Sequence, residues 1–183
     1  MSKCIECNNC EGHYVVRLSK YGYFAGCSEY PRCKSTLKIY ELAHAYIMKY
    51  GLNLYGWKKS CWKCKLDTVV YSYFLYYEME EIEDVFCGVH GIGLGDIPCI
   101  DKIISGKYPS ITMSYSKTTK SSYMANTCQH CKALQGRNYV VHDPHEIIQD
   151  LWHEHTMEKY LVETIKVDDV NLMAELKECV ELS

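Results

Sequence analysis

The spacing of hydrophobic residues changes along the chain between a helical and a strand-like period. The first clear helical pattern lies in residues 40–50. Leu42, Ala45 and Tyr46 recur at about helical spacing, and Gly51 follows where a helix would stop. The pattern predicts one helix that joins an N-terminal block to the rest of the chain.

Residues 57–141 have the composition of β-strands. Residues 68–77 form a β-branched and aromatic run, residues 111–115 alternate, and residues 139–142 give a further short candidate strand. The glycine-rich segment 88–95 lacks the Gly-Lys-Ser/Thr of a phosphate loop and is predicted to be a turn.

The C-terminal residues show a second helical pattern. Residues 143–146 read Asp-Pro-His-Glu, which is a capping box with proline at the first helical position, and the helical period continues through Tyr160 and Leu161. Asp168 is placed to cap another helix, whose inward positions include Leu176. We expect two acidic amphipathic helices.

Composition limits the classes of protein that the chain can represent. Its 183 residues are 48% hydrophobic and 23% charged, which excludes a disordered chain. No apolar stretch approaches the ~18 residues needed to cross a membrane, and the N-terminus lacks the apolar core of a signal peptide. We therefore expect a cytoplasmic protein without membrane contacts, and its 12 cysteines, several in C-x2-C pairs, predict metal ligands in place of disulfides.

Charge is distributed unevenly. Residues 1–39 contain six Lys/Arg against three Glu, whereas residues 141–183 contain three against eleven acidic residues. Four thiolates and one bound dication would reduce the N-terminal charge of +3 to about +1, so charge alone cannot account for nucleic-acid binding by the basic head. The acidic tail could mimic DNA or bind a basic protein.

Four cysteines near the N-terminus have the spacing of a zinc ribbon. Cys7 and Cys10 form one pair, sixteen residues follow, and Cys27 and Cys33 complete the set with five residues between them. Residues 13–18 are strand-like, residues 19–22 predict a turn, and residues 23–26 return the chain to the second pair of cysteines.

Residues 5–38 resemble the C-terminal zinc ribbon of bacterial type I topoisomerases. The resemblance rests on the run 21–34, Tyr-Gly-Tyr-Phe-Ala-Gly-Cys-Ser-Glu-Tyr-Pro-Arg-Cys-Lys, and on Cys7-Asn-Asn-Cys10-Glu-Gly12. It implies a DNA-binding module, largely for single strands, without the cleavage domain of that family. Cys4 makes an additional C-x2-C pair with Cys7, and we favour Cys7 and Cys10 as ligands because the following Glu-Gly fits the family's knuckle.

Binding of single strands requires aromatic faces for bases and cations for phosphates, and the ribbon contains both. Phe24 is expected to pack inside, whereas aromatic residues at the turn are expected to be exposed. The candidate nucleic-acid-binding residues are Arg17, Lys20, Tyr21, Tyr23, Tyr30, Arg32 and Lys34.

Two further knuckles predict a second zinc site. Cys61 and Cys64 form the first, and Cys128 and Cys131 form the second after 63 intervening residues. We predict an interrupted zinc ribbon with these four ligands, because the entropy of closing a longer loop grows slowly. The pair Cys87 and His90 is the alternative that could replace one knuckle or form part of a third site; Cys99 and Cys179 read as core cysteines.

A hydrolytic metal site is the less favoured interpretation of the polar residues that follow. His145, His153 and His155 do not share the i,i+4 spacing of paired ligands, and a zinc ion with four cysteines has no open position for substrate. The candidates for that site are His142, Asp143, His145, Glu146, His153, Glu154 and His155.

These observations predict an α+β protein, with a small zinc ribbon followed by a β-rich zinc domain and C-terminal helices. The predicted domains are residues 1–39, a connecting helix and linker at 40–56, the interrupted ribbon at 57–142 and the acidic helical tail at 143–183. We expect two structural Zn²⁺ ions per chain and an accessory protein that binds single-stranded DNA without catalysis of its own. The alternative is an adaptor or inhibitor of a nucleic-acid enzyme that binds its partner through the acidic helices.

Overall fold

The computed structural model describes residues 3–75, 92–142, 147 and 157–181. The chain forms two compact units, one of Met1–Leu52, Leu75–Ile92 and Lys166–Ser183, and the other of Asn53–Phe74 and Gly93–Ile165. In chain order the elements are β1 (Tyr14–Ser19), β2 (Gly22–Cys27), β3 (Thr36–Leu37), α1 (Ile39–Tyr50), β4 (Leu52–Ser60), β5 (Asp67–Ser72), α2 (Pro98–Lys107), β6 (Ile111–Ser116), β7 (Ser121–Thr127), β8 (Leu134–Gln135), β9 (Leu161–Ile165) and α3 (Leu172–Glu181).

The first unit begins with a three-stranded antiparallel sheet in the order β1-β2-β3. Tyr14 pairs with Cys27 at one end of the hairpin, and Ser19 pairs with Gly22 at the other. Gly22 has a φ of 107°, a value that favours glycine, and this allows the tight turn after Tyr21. The hairpin expected from the sequence is therefore present.

The predicted connecting helix is confirmed as α1. Its N-terminus is capped by Glu41, whose carboxylate accepts a hydrogen bond from the Lys38 N–H at 2.7 Å, and it ends at Gly51, which has a φ of 77°. Tyr46 is buried on its inner face. Helix α3 packs against α1 in the same unit and buries Leu172 and Leu176 completely.

The second unit contains two three-stranded antiparallel sheets, in the orders β5-β4-β9 and β6-β7-β8. Trp57 of β4 stacks on Phe74 with 6.4 Å between ring centroids, and both rings are buried. Tyr73 is fully buried and donates a hydrogen bond to Asp101 of α2 at 3.1 Å. Burial, reinforced by the negative charge of Asp101, raises the pKa of Tyr73 well above its usual value. These contacts are made without the cysteines of either four-sulfur cluster.

Asp96 and Asp101 order the described end of the glycine-rich segment. The carboxylate of Asp96 accepts a hydrogen bond from the Gly93 N–H at 2.8 Å and pairs with Arg137 at 2.6 Å, while Asp101 accepts from the Gly95 N–H at 3.1 Å. The segment thus leads into α2, a helix that the sequence patterns did not predict.

Three predicted elements differ from the structure. Residues 139–142, expected as a strand, lie in a π-helical turn, Asn138–His142, which buries Val140. The helical period expected through Tyr160 and Leu161 is replaced by a 3-10 turn, Met157–Tyr160, and then by β9, because the β-branched side chains of β9 fit a strand beside β4. The second tail helix starts at Leu172, and Asp169 accepts the Asn171 N–H at 2.8 Å, whereas Asp168 was the predicted cap. Residues 143–146 and 148–156 of the first predicted tail helix lie outside the described residues.

Overall, the fold class is confirmed as α+β with two cysteine-rich metal centres. No helix in the described ranges is long and apolar enough to cross a membrane.

Candidate metal centres and nucleic-acid interface

The first cluster consists of Cys7, Cys10, Cys27 and Cys33, whose four sulfur atoms lie within 4.8 Å of one another. The Sγ atoms of Cys7 and Cys33 are 3.7 Å apart, and those of Cys10 and Cys27 are 3.4 Å apart. Four sulfurs around a tetrahedral zinc ion at ~2.3 Å would be separated by about 3.8 Å. The donor set and its dimensions therefore fit Zn²⁺.

Backbone N–H groups prepare this cluster for a cation. The N–H of Asn9 lowers the pKa of the Cys7 thiol to about 6, which favours its thiolate. The N–H of Gly12 acts in the same direction on Cys10, but the neighbouring Cys27 thiol and burial raise the pKa of Cys10 to about 12. Four crowded thiols cannot all lose their protons together unless a positive charge lies between them. A bound dication supplies that charge.

The second cluster brings together Cys61, Cys64, Cys128 and Cys131, again with all four sulfurs within 4.8 Å. The Sγ atoms of Cys61 and Cys131 are 3.6 Å apart, and those of Cys64 and Cys128 are 3.7 Å apart. Burial raises the pKa of Cys61, but the N–H groups of Cys64 and Lys63 outweigh it and lower the pKa to about 6. The four ligands predicted for the second site therefore come together, and the dimensions of the cluster also fit Zn²⁺.

The two knuckles of this second cluster have the same backbone conformation. Lys65 N–H donates to the Cys61 carbonyl at 2.9 Å, and Lys132 N–H donates to the Cys128 carbonyl at 3.0 Å. Both lysines lie immediately after the second cysteine of their knuckle and have positive φ, 64° and 58°. The repeated C-x2-C-Lys sequence thus forms one turn twice.

Side chains join the two knuckles across the 63-residue gap. The Trp62 indole N–H donates to the Leu134 carbonyl at 2.6 Å, and a ring nitrogen of His130 lies 2.9 Å from the Asp67 carbonyl. Gln135 donates from its amide to the Cys61 sulfur at 3.3 Å. These contacts fix the positions of the four sulfurs relative to one another.

Asn126 links the two sheets of the second unit. Its side-chain amide accepts from the Tyr71 N–H and donates to the Tyr71 carbonyl, both at 2.8 Å. One side chain therefore satisfies both backbone groups of a strand residue in place of a neighbouring strand. Asn126 is only 3% exposed, so water cannot replace these bonds.

The structure resolves the alternatives at the first cluster. Cys4 lies outside the cluster, and its carbonyl accepts a hydrogen bond from the Tyr50 hydroxyl at 2.7 Å. Cys87 and His90 lie outside the described residues. None of the cysteines that the structure describes is in a disulfide bond, so disulfides do not compete with the two metal sets there. The two clusters are structural zinc sites, as predicted.

The proposed hydrolytic site cannot be placed on the structure. His145, His153 and His155, together with the acidic residues of that cluster, lie outside the described residues, and nothing is described of the His142 side chain.

The comparison with known protein families agrees with this geometry at the N-terminus. A family model for the topoisomerase DNA-binding C4 zinc finger matches residues 4–41, so this segment is a zinc ribbon similar to those fingers. No curated protein and no solved structure matches the chain.

The hairpin tip of the ribbon exposes aromatic and cationic side chains. Tyr21 is 87% exposed in the turn between β1 and β2, with the Lys20 ammonium 4.7 Å from its ring centroid. Tyr23 is 39% exposed and pairs with the exposed Leu18 on the neighbouring strand. Phe24, expected to pack inside, is half-buried.

A second group of candidates lies on the opposite face of the hairpin. Arg17 donates to the Cys27 carbonyl at 3.3 Å, and its guanidinium lies 6.0 Å from the Tyr30 ring centroid. The guanidinium passes over Gly26, where a Cβ atom would come within 3.1 Å of the arginine Cδ. Arg32 and Lys34 are exposed around the second pair of cysteines. The seven candidate residues are thus distributed over the tip, one face of the hairpin and the knuckle, and do not form one flat surface.

Proposed function

We propose that the protein is an accessory factor that binds nucleic acid through its N-terminal zinc ribbon, with a preference for single-stranded DNA. The observation that carries this proposal is the exposure of Tyr21, Tyr23 and Tyr30 beside Lys20 and Arg17 on a segment that matches a DNA-binding finger. Soluble domains seldom leave several large aromatic rings in water without a ligand for them.

Stacking is expected to provide more of the affinity than charge. Six Lys/Arg face three Glu in residues 1–39, and a zinc ion with four thiolates carries −2, which leaves about +1. One base stacked on an aromatic side chain contributes ~1–3 kcal/mol. Bases are accessible for stacking only where a strand is unpaired, and for this reason the proposal favours single strands.

We also propose that the protein has no catalytic activity of its own. Each zinc site is completed by four cysteines, so neither has an open position at which a substrate or an activated water molecule could bind.

Fluorescence anisotropy with a labelled oligothymidylate tests the proposal. We expect binding that weakens as salt is raised, and weaker binding of the corresponding duplex. The double variant Tyr21→Ala, Tyr23→Ala should bind roughly 30-fold less tightly, because two stacking surfaces of at least about 1 kcal/mol each are removed.

Tyr115→Ala provides the matched control, because Tyr115 is 60% exposed on β6 and belongs to the second unit. Its affinity should equal that of the wild-type protein. An unchanged affinity in the Tyr21→Ala, Tyr23→Ala variant, with both zinc ions retained, would refute stacking at the hairpin tip.

The acidic tail gives less support to the adaptor alternative. In the described helix α3, Leu172 and Leu176 are buried and the helix packs on α1 inside the first unit, so these apolar side chains do not face a partner protein. The negative charge of the tail is the feature that still supports the adaptor alternative.

A further inference from the structure

The exposed surface of the second zinc site has the composition of a nucleic-acid-binding surface. We define the knuckle patch as the exposed residues of its two knuckles and the positions directly after them. Its members are Trp62, Lys63, Lys65, Leu66, Gln129, His130 and Lys132.

Contacts between the knuckles hold this patch together as one surface. Trp62 reaches from the first knuckle to the Leu134 carbonyl, which follows the second knuckle. His130 reaches from the second knuckle to the Asp67 carbonyl, which follows the first. The four sulfurs below them lie within 4.8 Å of one another, so the residues between and beside the cysteines must share one end of the unit.

Trp62 is the most informative residue of the patch. Its ring is 50% exposed although its indole N–H is already bonded at 2.6 Å, so the side chain is fixed in position while part of its face meets water. Leu66 beside it is 54% exposed. A fixed, half-exposed indole is a surface on which a base can stack with little loss of side-chain entropy.

The charge of the patch is suited to phosphates. Residues 58–66 contain Lys58, Lys59, Lys63 and Lys65 without an acidic residue, and Lys132 is added by the second knuckle. Asp67 is the first acidic residue after this run. The three lysines of the patch, Lys63, Lys65 and Lys132, exceed by one the −2 charge of a zinc ion with four thiolates. Lys58 and Lys59 of the adjoining strand β4 more than balance the charge of Asp67. By contrast, the knuckle groove of the first site mixes Arg32 and Lys34 with Glu11 and Glu29.

We infer that the knuckle patch is a second binding site for single-stranded nucleic acid, in which Trp62 stacks on a base and Lys63, Lys65 and Lys132 contact the flanking phosphates. This site belongs to the second unit, outside the segment that matches the topoisomerase finger. The inference goes beyond the proposed function of the ribbon and does not depend on it.

Tryptophan fluorescence of the full chain, titrated with unlabelled oligothymidylate, tests stacking directly. The quenching attributable to Trp62 is the difference between the wild-type protein and Trp62→Phe, since the other two tryptophans, Trp57 and Trp152, remain in both proteins. We expect saturable quenching that disappears in Trp62→Phe.

Affinity measurements separate stacking from a structural role of Trp62. Trp62→Ala should bind roughly 5- to 150-fold more weakly, the range for one lost stacked base, whereas Trp62→Phe should retain most of the affinity because it keeps an aromatic face. Both variants lose the hydrogen bond to Leu134. Equal loss of affinity in the two variants would show that this bond matters and would overturn the stacking model.

The lysines can be tested with a closely matched control. The variant Lys63→Gln, Lys65→Gln should bind more weakly and show a smaller salt dependence. The control Lys117→Gln, Lys120→Gln removes the same charge from the β6–β7 turn, and Lys120, like Lys65, has a positive φ, at 54°. The two pairs therefore share both the charge change and the backbone conformation.

The outcomes distinguish this site from the ribbon. Trp62-dependent quenching that persists in the Tyr21→Ala, Tyr23→Ala variant supports the patch, whatever the ribbon does. Two results would overturn the patch and leave the proposed function standing. One is ribbon-dependent binding without quenching of Trp62, and the other is an equal effect of the two lysine pairs on binding. The lysines of the patch would then only balance the charge of the metal site. Binding of a protein in place of oligothymidylate would likewise overturn it.

Discussion

The two zinc regions reach the same four-sulfur arrangement by different routes. In the first, sixteen residues separate the cysteine pairs, and one hairpin, β1–β2, brings them together. In the second, 63 residues separate the pairs, and the strands that carry them belong to different sheets. Two cysteine pairs that are close in sequence can be brought together by one turn, whereas two pairs that are far apart in sequence require tertiary contacts to meet.

Those tertiary contacts are made by side chains bonded to backbone groups. Asn126, Trp62 and His130 all contact main-chain atoms of the other half of the second site. The first ribbon has mainly strand pairing, with Tyr14 joined to Ser35 through their hydroxyls at 2.7 Å. The comparison indicates that the first region depends more on its metal, and the second depends more on its own core.

Removal of one ligand from each site should give the largest effect. Cys27→Ala and Cys128→Ala should each lower the zinc content from two ions to one, because three thiolates do not close a structural site, and each loses up to about 10 kcal/mol of binding energy. Elemental analysis measures the zinc content. In NMR spectra, the first variant should lose the dispersed amide signals of β1 and β2, while the second should keep those of β4 and β5, which pack through Trp57 and Phe74.

Cys4→Ala and Cys99→Ala are the controls for this experiment. Cys4 lies outside the first cluster, and Cys99 is buried in α2 away from the sulfurs of the second. Both should retain two zinc ions. Equal loss of structure in the two ligand variants would contradict the difference between the regions.

Substitution of Asn126 should have the next largest effect, and only in the second unit. Asn126→Ala removes both hydrogen bonds from this side chain to the half-buried Tyr71 backbone, at a cost of about 2–4 kcal/mol. Faster amide hydrogen exchange at Tyr71 would report this loss at the residue concerned. Asn138→Ala, at an exposed asparagine, is the control, and exchange at Tyr71 as slow as in the wild-type protein would show that the link is dispensable.

The smallest expected effect concerns Gln135, which donates a hydrogen bond to the Cys61 sulfur and is 1% exposed. Gln135→Met removes a donor that stabilises the thiolate, and the second site should bind zinc about tenfold less tightly, while the first keeps its affinity. Competition with a chromophoric chelator measures both. Gln129→Met, on the exposed part of the neighbouring knuckle, should leave both affinities unchanged.

The sequence allowed prediction of whatever local spacing determines. Both ligand sets, helix α1 and the first hairpin follow from cysteine spacing, helical periodicity and a turn glycine, and the structure confirms them. The helical period was predicted to continue through Tyr160 and Leu161, but Leu161 begins β9, whose pairing with β4 decided its conformation.

Other features depend on contacts between distant residues and could not be predicted from one sequence. The bidentate contact of Asn126 with Tyr71 spans 55 residues, and nothing in the local pattern identifies this asparagine as structural. The exposure of Trp62 had a weak signal, since a tryptophan between two zinc ligands has no core to enter. Lys132, by contrast, comes to the lysines around Trp62 only because the two distant knuckles share one metal site.

The 63 residues between the two cysteine pairs of the second site are a position at which insertions can accumulate during evolution. The metal fastens the ends of the 63-residue segment, and doubling the length of a fastened segment adds only about 0.6 kcal/mol of closure entropy. Helix α2 and the β6–β7 hairpin therefore occupy a position where extra elements can be inserted at little cost. The zinc site would tolerate a longer or a shorter inserted segment between its two cysteine pairs.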